Sequence, residues 1–237
     1  MIGTYKIADQ IVRIESIYPR IHEYCKGYGL EADTPDIVVK TTPEDIEYEK
    51  AHGSEEYNFT DDYYEELAVH RKLSTEMLAY NTFLFHGSCI AMDGEAYIFT
   101  APSGTGKSTH ARLWRECFGD RVVMVNDDKP YIRVDENGAV VYGTPFNGKH
   151  RLGTDICVPL KAICLIKRGE KNEIASVEKN EAYPLLLQQT YRPQGAEGLA
   201  KTLELLDRLT FSVELYKLNC NMEPDAARVS YEGMNGK

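Results

Sequence analysis

A glycine-rich segment that runs into lysine and serine carries the strongest chemical signal of the sequence. It reads Ala101-Pro102-Ser103-Gly104-Thr105-Gly106-Lys107-Ser108-Thr109. This segment fits the phosphate-binding P-loop (Walker A) pattern G-x-x-x-x-G-K-[ST], except that alanine stands at the first glycine. Such glycines let backbone N–H groups point at phosphate oxygens, and a following helix N-terminus adds partial positive charge. A simple turn would not need the lysine and serine, so residues 102–109 are predicted to bind ATP.

Two side chains of this loop have distinct expected roles. Lys107 should reach the β- and γ-phosphates, and the Ser108 hydroxyl should bind Mg²⁺. Alanine at position 101 costs little if its backbone is not left-handed. ATP and Mg²⁺ are therefore the expected cofactors.

Two adjacent carboxylates, Asp127 and Asp128, follow the apolar run 122–125. The C-terminal end of a buried strand is where a Mg²⁺-directed carboxylate belongs in phosphoryl transfer. Side chains alternate along an extended chain, so one carboxylate can face the metal while its neighbour takes the proton of an acceptor hydroxyl. The residues alone leave open which aspartate is the base, and an acidic surface turn is the alternative.

Two further polar residues are weaker candidates. His86 ends an apolar strand just before Gly87 and is, on its own, typical of a partly buried structural histidine. Lys149 closes the segment Gly143-Thr144-Pro145-Phe146-Asn147-Gly148-Lys149. On its own, Lys149 is typical of a solvated loop lysine.

The hydrophobic pattern predicts the elements that position these residues. A hairpin of strands 88–92 and 96–100, turning at Asp93-Gly94, leads into the loop, and a helix over 110–118 follows. A strand over 121–125 carries the aspartates. Further predicted elements are a hairpin around 136–138, a buried strand over 160–166 and an amphipathic helix over 199–209.

The N-terminal part has a different character, and we place a boundary near residue 82. Residues 1–30 alternate loosely and predict one or two strands, and residues 65–83 predict a helix. Between them, residues 37–39 predict a short strand, and the rest of 31–66 indicates solvated loop or helix start. The predicted domains are an accessory region over 1–82 and a P-loop kinase-like core over 83–237.

The negative charge is concentrated in one segment. The chain has a formal net charge of −10, and residues 31–66 hold 13 acidic residues against Lys40 and Lys50. The rest of the chain is about neutral, so the clustered basic face that nucleic acids require is not expected. The segment is predicted to be either a solvated surface or a docking face for a basic partner.

The sequence contains neither a run of 18 apolar residues nor a secretory signal pattern. Its 6 cysteines are scattered without a Cys-x-x-Cys pair, which is typical of reduced thiols. We therefore predict a cytoplasmic protein without a membrane segment.

These motifs, and their order along the chain, resemble those of the HPr kinase/phosphorylase and phosphoenolpyruvate carboxykinase-like superfamily. The likeness rests on His86-Gly87, the hairpin, the Pro-Ser-Gly-Thr-Gly-Lys-Ser loop and the strand ending in Asn-Asp-Asp. It implies an α/β fold with a mixed-sheet P-loop kinase core of that type. It also implies a homo-oligomer, since HPr kinases are commonly hexameric.

The resemblance implies a role for each candidate residue. Asp127 would be the general base or acid, Asp128 would assist at the metal with Ser108, and His86 would lie near the transferred phosphate. Lys149 would contact phosphate or acceptor. The expected activity is ATP- and Mg²⁺-dependent transfer of the γ-phosphate to a hydroxyl, on a Ser or Thr of a peptide or small protein. Two alternatives stay open: an ATP-binding sensor that transfers no phosphoryl group, and a small-molecule kinase.

Overall fold

The computed structural model describes residues 1–53 and 59–236, and its backbone contacts divide the chain into the units Met1–Tyr80 and Asn81–Lys237. Residues 54–58 of the acidic segment therefore lie outside the described residues.

A small mixed sheet organises the first unit. Strands β1 (Ile2–Ile7) and β2 (Gln10–Glu15) form an antiparallel hairpin, and β3 (Ile37–Lys40) pairs with β2 in parallel. The helices of this unit are α1 (Arg20–Tyr24), α2 (Pro43–His52) and α3 (Asp61–Glu76). The predicted short strand over 37–39 and the strands within 1–30 are thus present.

Two helices of this unit differ from the sequence prediction. A solvated loop or helix start was expected around 43–52, where α2 forms ten residues of helix. A capping box between Thr42 and Asp45, with Pro43 in the first turn, starts it, and this local signal outweighs the density of acidic residues. The helix expected over 65–83 begins earlier and ends at Glu76, where a 3₁₀ turn, Met77–Tyr80, takes over.

Many acidic side chains of the segment 31–66 are used inside this unit. Arg71 pairs with Asp45 at 3.1 Å and Glu49 at 2.6 Å, and Lys72 pairs with Asp45 at 2.6 Å. The segment is therefore less of an open anionic surface than its composition suggests.

Glu65 is the acidic residue most deeply embedded in the unit. Its side chain is 1% exposed and accepts hydrogen bonds from the backbone N–H groups of Ile17 (2.6 Å) and Tyr18 (2.8 Å). The Thr41 hydroxyl donates a third bond at 2.5 Å. One carboxylate thus ties α3 to the segments that follow β2 and β3.

In the second unit, nine described strands form a mixed sheet. They are β4 (Thr82–Leu84), β5 (Ser88–Met92), β6 (Glu95–Thr100), β7 (Val122–Asn126), β8 (Tyr131–Asp135), β9 (Gly138–Tyr142), β10 (Cys157–Arg168), β11 (Glu173–Ser176) and β12 (Glu214–Cys220). Strand β10 lies at the centre: its start pairs antiparallel with β9, and its later part pairs in parallel with β6 on one side and β12 on the other. The strand order is β4-β8-β9-β10-β6-β5-β7, with β12 beside β10 and β11 beside β12.

Helix α4 (Lys107–Phe118) packs on this sheet through an aromatic core. Trp114 is fully buried, and its ring lies 5.2 Å from Tyr97 and 5.5 Å from Phe99 of β6, centroid to centroid. The indole N–H donates to the Ser230 hydroxyl at 2.8 Å, which joins α4 to α7 (Asp225–Met234). The two other helices are α5 (Lys179–Gln189) and α6 (Ala196–Ser212).

The α/β class and the mixed sheet predicted from the sequence are confirmed. The hairpin of β5 and β6, the hairpin of β8 and β9 and the strand of the aspartates are present, and α4 begins at Lys107, earlier than expected. Among the described residues, no helix combines the length and the apolar character needed to cross a membrane.

We expect Glu65→Ala to lower the free energy of unfolding by about 3 kcal/mol, because it leaves the buried Thr41 hydroxyl and two partly buried backbone N–H groups without an acceptor. Urea denaturation followed by circular dichroism measures this. The matched control is Glu76→Ala at the exposed end of α3, which should stay within about 0.5 kcal/mol of the wild type. Equal stability of the two variants would contradict the role assigned to Glu65.

Candidate functional site

The parallel strands bring several chain segments to one edge of the sheet. β6, β10 and β12 run in parallel, and β7 shares their direction because both β6 and β7 pair antiparallel with β5. The C-terminal ends of these four strands therefore meet at one edge, together with the start of β5. The predicted phosphate loop, the aspartates and His86 all lie there.

The loop between β6 and α4 has the backbone that its glycines allow. Gly104 and Gly106 have φ values of 75° and 128°, a region that other residues rarely adopt, and Gly106 is the residue before α4 begins. Ala101 has no positive φ, so alanine fits at the place of the first pattern glycine. Thr105 closes the loop by donating its hydroxyl to the Pro102 carbonyl at 2.8 Å.

Lys107 is held under the loop. It is 8% exposed, and its Nζ donates to the Ala101 carbonyl at 3.1 Å. Burial lowers the pKa of this amine, while the nearby charge of Asp128 acts in the opposite direction. A buried amine with one carbonyl partner among the described residues is suited to binding phosphate oxygens.

Arg168, at the end of β10, binds two backbone carbonyls of the loop. Its guanidinium donates from Nε to the Thr105 carbonyl at 3.1 Å and from Nη2 to the Gly104 carbonyl. The sequence did not single out this arginine, because only the parallel pairing of β6 with β10 brings it to the loop. It adds a second positive charge beside the loop.

Asp127 is buried at 6% exposure and is fixed by its neighbours. Its Oδ1 accepts from the Gly148 N–H at 2.7 Å, and its carbonyl accepts from the Ser88 hydroxyl at 3.0 Å. A Cβ at Gly148 would lie 3.2 Å from Asp128 Cβ and 3.3 Å from Asp127 Oδ2, so a larger residue here would have to push against the aspartates.

Asp128 faces a different set of groups. Its Oδ1 lies 3.3 Å from His86 Nε2, and its Oδ2 lies 3.6 Å from Lys129 Nζ. Burial opposes ionisation, but the His86 hydrogen bond and the Lys129 charge outweigh it, so the pKa of the Asp128 carboxyl is lowered. This carboxylate is therefore kept ionised close to Lys107.

A buried amide shapes the turn that carries both aspartates. Asn126 Oδ1 accepts from the N–H groups of Asp128 (2.8 Å) and Lys129 (2.6 Å), and its Nδ2 donates to the Thr144 hydroxyl at 3.0 Å. The Thr144 hydroxyl donates in turn to the Lys129 carbonyl at 3.0 Å. Hydrogen bonds thus join the segment around 143–149 to the turn of the aspartates. The sequence did not predict this contact.

Two cavities flank the loop. One, of about 430 Å³, lies toward β10 and β12 and is lined by apolar side chains that include Leu113, Ile166 and Met222, with the backbone of Gly104 to Gly106. His110 also lines it, and burial lowers the pKa of its imidazole to about 4, so it carries no charge at neutral pH.

The other cavity, of about 420 Å³, lies toward β7. It is lined by Ser108, Thr109, Arg112, Arg115, Met124, Asp127, His150 and Leu152. The predicted metal ligand Ser108 and the predicted base Asp127 therefore share one cleft. Hydroxyl and carboxylate oxygens are ligands that Mg²⁺ accepts, although no cluster of three His, Cys, Asp or Glu side chains suited to a metal occurs among the described residues.

The structure brings most of the predicted residues to one place. Lys107, Asp128 and His86 are neighbours, and Lys149 follows Gly148, whose N–H binds Asp127. Pro102 and Ser103 are exposed on the loop, and Lys149 is an exposed side chain. The positions that the sequence missed are Arg168, Asn126, Thr144 and the two arginines of α4.

Comparison with known proteins gives one family. The family model of the SynChlorMet cassette protein ScmC matches residues 64–192, which is more than half of the chain. No curated protein matches the sequence.

One solved structure is similar in coarse fold. The Hpr(Ser) kinase/phosphatase from Coxiella burnetii matches 65% of this chain and 88% of its own, with 9% sequence identity and a TM-score of 0.37. At this identity and TM-score, no conclusion about activity follows from the likeness.

We expect His86→Ala to raise the pKa of the Asp128 carboxyl, because the variant removes a hydrogen bond and a charge that favour the ionised form. Carboxyl ¹³C chemical shifts followed through a pH titration measure it. A lowered carboxyl pKa stabilises the folded state above the unfolded pKa, and this stabilisation is lost as the pH falls through the folded pKa. The variant should therefore lose less stability on acidification than the wild type, whereas His52→Ala, at an exposed histidine, should change neither quantity.

Proposed function

We propose that this chain, which belongs to the family of the SynChlorMet cassette protein ScmC, is a kinase that transfers the γ-phosphate of ATP to a hydroxyl group. The proposal rests on one observation. Lys107, at the start of α4, lies close to Asp128, the carboxylate that follows β7. Ser108 and Asp127, the residues next to them in the chain, line one cleft. A positively charged loop next to paired carboxylates is what phosphoryl transfer requires.

The two cavities suggest how ATP would lie. The apolar cavity toward β10 and β12 suits the nucleoside, since base-binding pockets are largely apolar with few polar groups. The phosphates would then follow the loop N–H groups past Arg168 and Lys107 toward Asp127. In this arrangement the γ-phosphate ends at the cleft with the polar lining.

The divalent cation that the resemblance implies has a suitable set of oxygens here. Ser108 and Asp128 would hold Mg²⁺, which would neutralise charge on the β- and γ-phosphates when bound. The lowered pKa of Asp128 favours this role, because a carboxylate that stays ionised is a good metal ligand and a poor base.

Asp127 is then the proposed general base. Its cleft is open to an acceptor, and the Gly148 N–H fixes Oδ1 and leaves Oδ2 for a proton. The acceptor oxygen forms a bond to the γ-phosphorus, the bond to the ADP oxygen breaks, and the hydroxyl proton passes to Asp127. Lys107 and Arg168 would offset the charge that develops on the phosphate oxygens.

A Ser or Thr of a peptide or small protein is the acceptor that we favour, because the cleft is open and lined by charged groups. An ATP sensor would keep the loop but would not need a carboxylate fixed in the adjoining cleft. A small-molecule kinase remains the other alternative. Transfer of phosphate to peptides, to small hydroxyl compounds or to neither distinguishes these three functions.

Lys107→Ala should weaken ATP binding by about ten- to a hundredfold, because it removes a charge-assisted contact with the phosphates. Isothermal titration calorimetry with Mg²⁺ and a non-hydrolysable ATP analogue measures this. Lys201→Ala on α6 is the matched control and should bind like the wild type. Unchanged affinity of a folded Lys107→Ala protein would remove the basis of the nucleotide site.

Asp127→Asn should keep nucleotide affinity and lower phosphoryl transfer by about a thousandfold, which is the range of a general base. The readout is radiolabelled phosphate carried from ATP to a library of Ser and Thr peptides, with exposed Asp120→Asn as the matched control. Retained transfer in Asp127→Asn would refute the base role. Hydrolysis by the wild type without transfer to any peptide or small hydroxyl compound would favour the sensor.

A further inference from the structure

The cleft beside Asp127 also indicates what kind of acceptor it takes. We propose that it binds an acidic peptide segment, in which carboxylate or phosphate groups flank the acceptor hydroxyl. This inference rests on the proposed function, because the position of Asp127 is what identifies the cleft as the acceptor side.

One wall of the cleft is a face of α4. Ser108, Arg112 and Arg115 are spaced by four and three residues, so their side chains project from the same side of the helix. Ser108 lies next to the loop, and the two arginines follow it in successive turns. An acceptor hydroxyl at Asp127 would therefore have both guanidinium groups beside its flanking residues.

The two arginines that line the cleft differ in their partners. Arg112 pairs with Glu116 at 2.6 Å, where both side chains are 54% exposed. Arg115 is half-buried, and within residues 1–53 and 59–236 its guanidinium has neither an ion pair nor a hydrogen-bond partner. A guanidinium matches carboxylate and phosphate groups in a two-point contact, so this side chain is suited to an anionic ligand.

A second basic segment, Lys149 and His150, borders the cleft. His150 lines the cleft, and Lys149 precedes it as an exposed side chain. Asp127 is the one carboxylate among the described residues that line the cleft, and its Oδ1 already accepts the Gly148 N–H. A basic peptide would meet like charges here, whereas an acidic peptide would meet complementary ones.

Fluorescein-labelled Ser peptides of equal length test this directly. Their flanking residues are all Glu, all Gln or all Lys, and binding is followed by fluorescence anisotropy with Mg²⁺ and a non-hydrolysable ATP analogue. The full chain should bind the Glu peptide about tenfold more tightly than the Gln peptide, and added salt should reduce the difference. Arg115→Gln should remove most of that preference, whereas Arg208→Gln on α6, with the same change of charge, should keep it.

Reversing the charge at position 115 predicts a gain of binding, which an unfolded variant would not show. Arg115→Glu should bind the Lys peptide better than the wild type does, with an unchanged melting temperature. Free phosphoserine and glutamate, added as competitors, show whether the cleft recognises a peptide or any small anion. If they displace the Glu peptide at the concentrations at which the peptide itself binds, the peptide proposal is overturned. Tighter binding of a labelled single-stranded RNA, or equal binding of the Glu and Gln peptides, would overturn it as well.

These outcomes separate the two proposals. If the wild type binds no ATP but binds the Glu peptide through Arg115, the kinase assignment fails and the anionic cleft stands. If ATP binds and phosphate is transferred without a preference for acidic peptides, the kinase assignment stands and the inference on the acceptor falls.

Discussion

The candidate site depends on one constraint, which is the parallel pairing of β6 with β10 and of β10 with β12. This pairing, together with the shared direction of β7, places four strand ends at the same edge of the sheet. The loop after β6, the aspartates after β7 and Arg168 at the end of β10 meet there for that reason alone. A change that shifted the register of β10 would separate Arg168 from the loop, even if every site residue were retained.

At this edge of the sheet, buried hydrogen-bond partners fix the turn of the aspartates, whereas Lys107 is held by fewer hydrogen bonds. Asn126 and Thr144 hold the turn of the aspartates, and both are fully buried. Buried networks in which each member is satisfied are rigid, since breaking one bond leaves a donor or acceptor unpaired. Lys107, in contrast, has one carbonyl partner and a pKa lowered by burial. A phosphate near its amine would raise this pKa again, so ligand binding and the charge of Lys107 would reinforce each other.

The local part of this arrangement could be predicted from the sequence, and the non-local part could not. Glycines at 104 and 106, the hairpin turn at Asp93-Gly94 and the apolar run before Asp127 each act through neighbours in the chain, and the corresponding elements are present. Arg168 lies more than sixty residues from the carbonyls that it binds, and nothing in its own neighbourhood marks it. Helix α2 was missed for another reason: the density of acidic residues suggested loop, although Thr42, Pro43 and Asp45 form a start signal that decides the local structure.

Charge is where sequence and structure lead to different conclusions. The net charge of −10 and its concentration in residues 31–66 left a docking face for a basic partner open. The structure uses several of those carboxylates for internal ion pairs with Arg20, Arg71 and Lys72, and Glu65 for buried hydrogen bonds. Paired charges contribute little to recognition, because a ligand must compete with the existing partner. In the proposal for the acceptor, recognition instead depends on Arg115, which lines the same cleft as Asp127 and whose guanidinium has no partner among the described residues. The overall acidity of the chain is therefore compatible with an acidic acceptor.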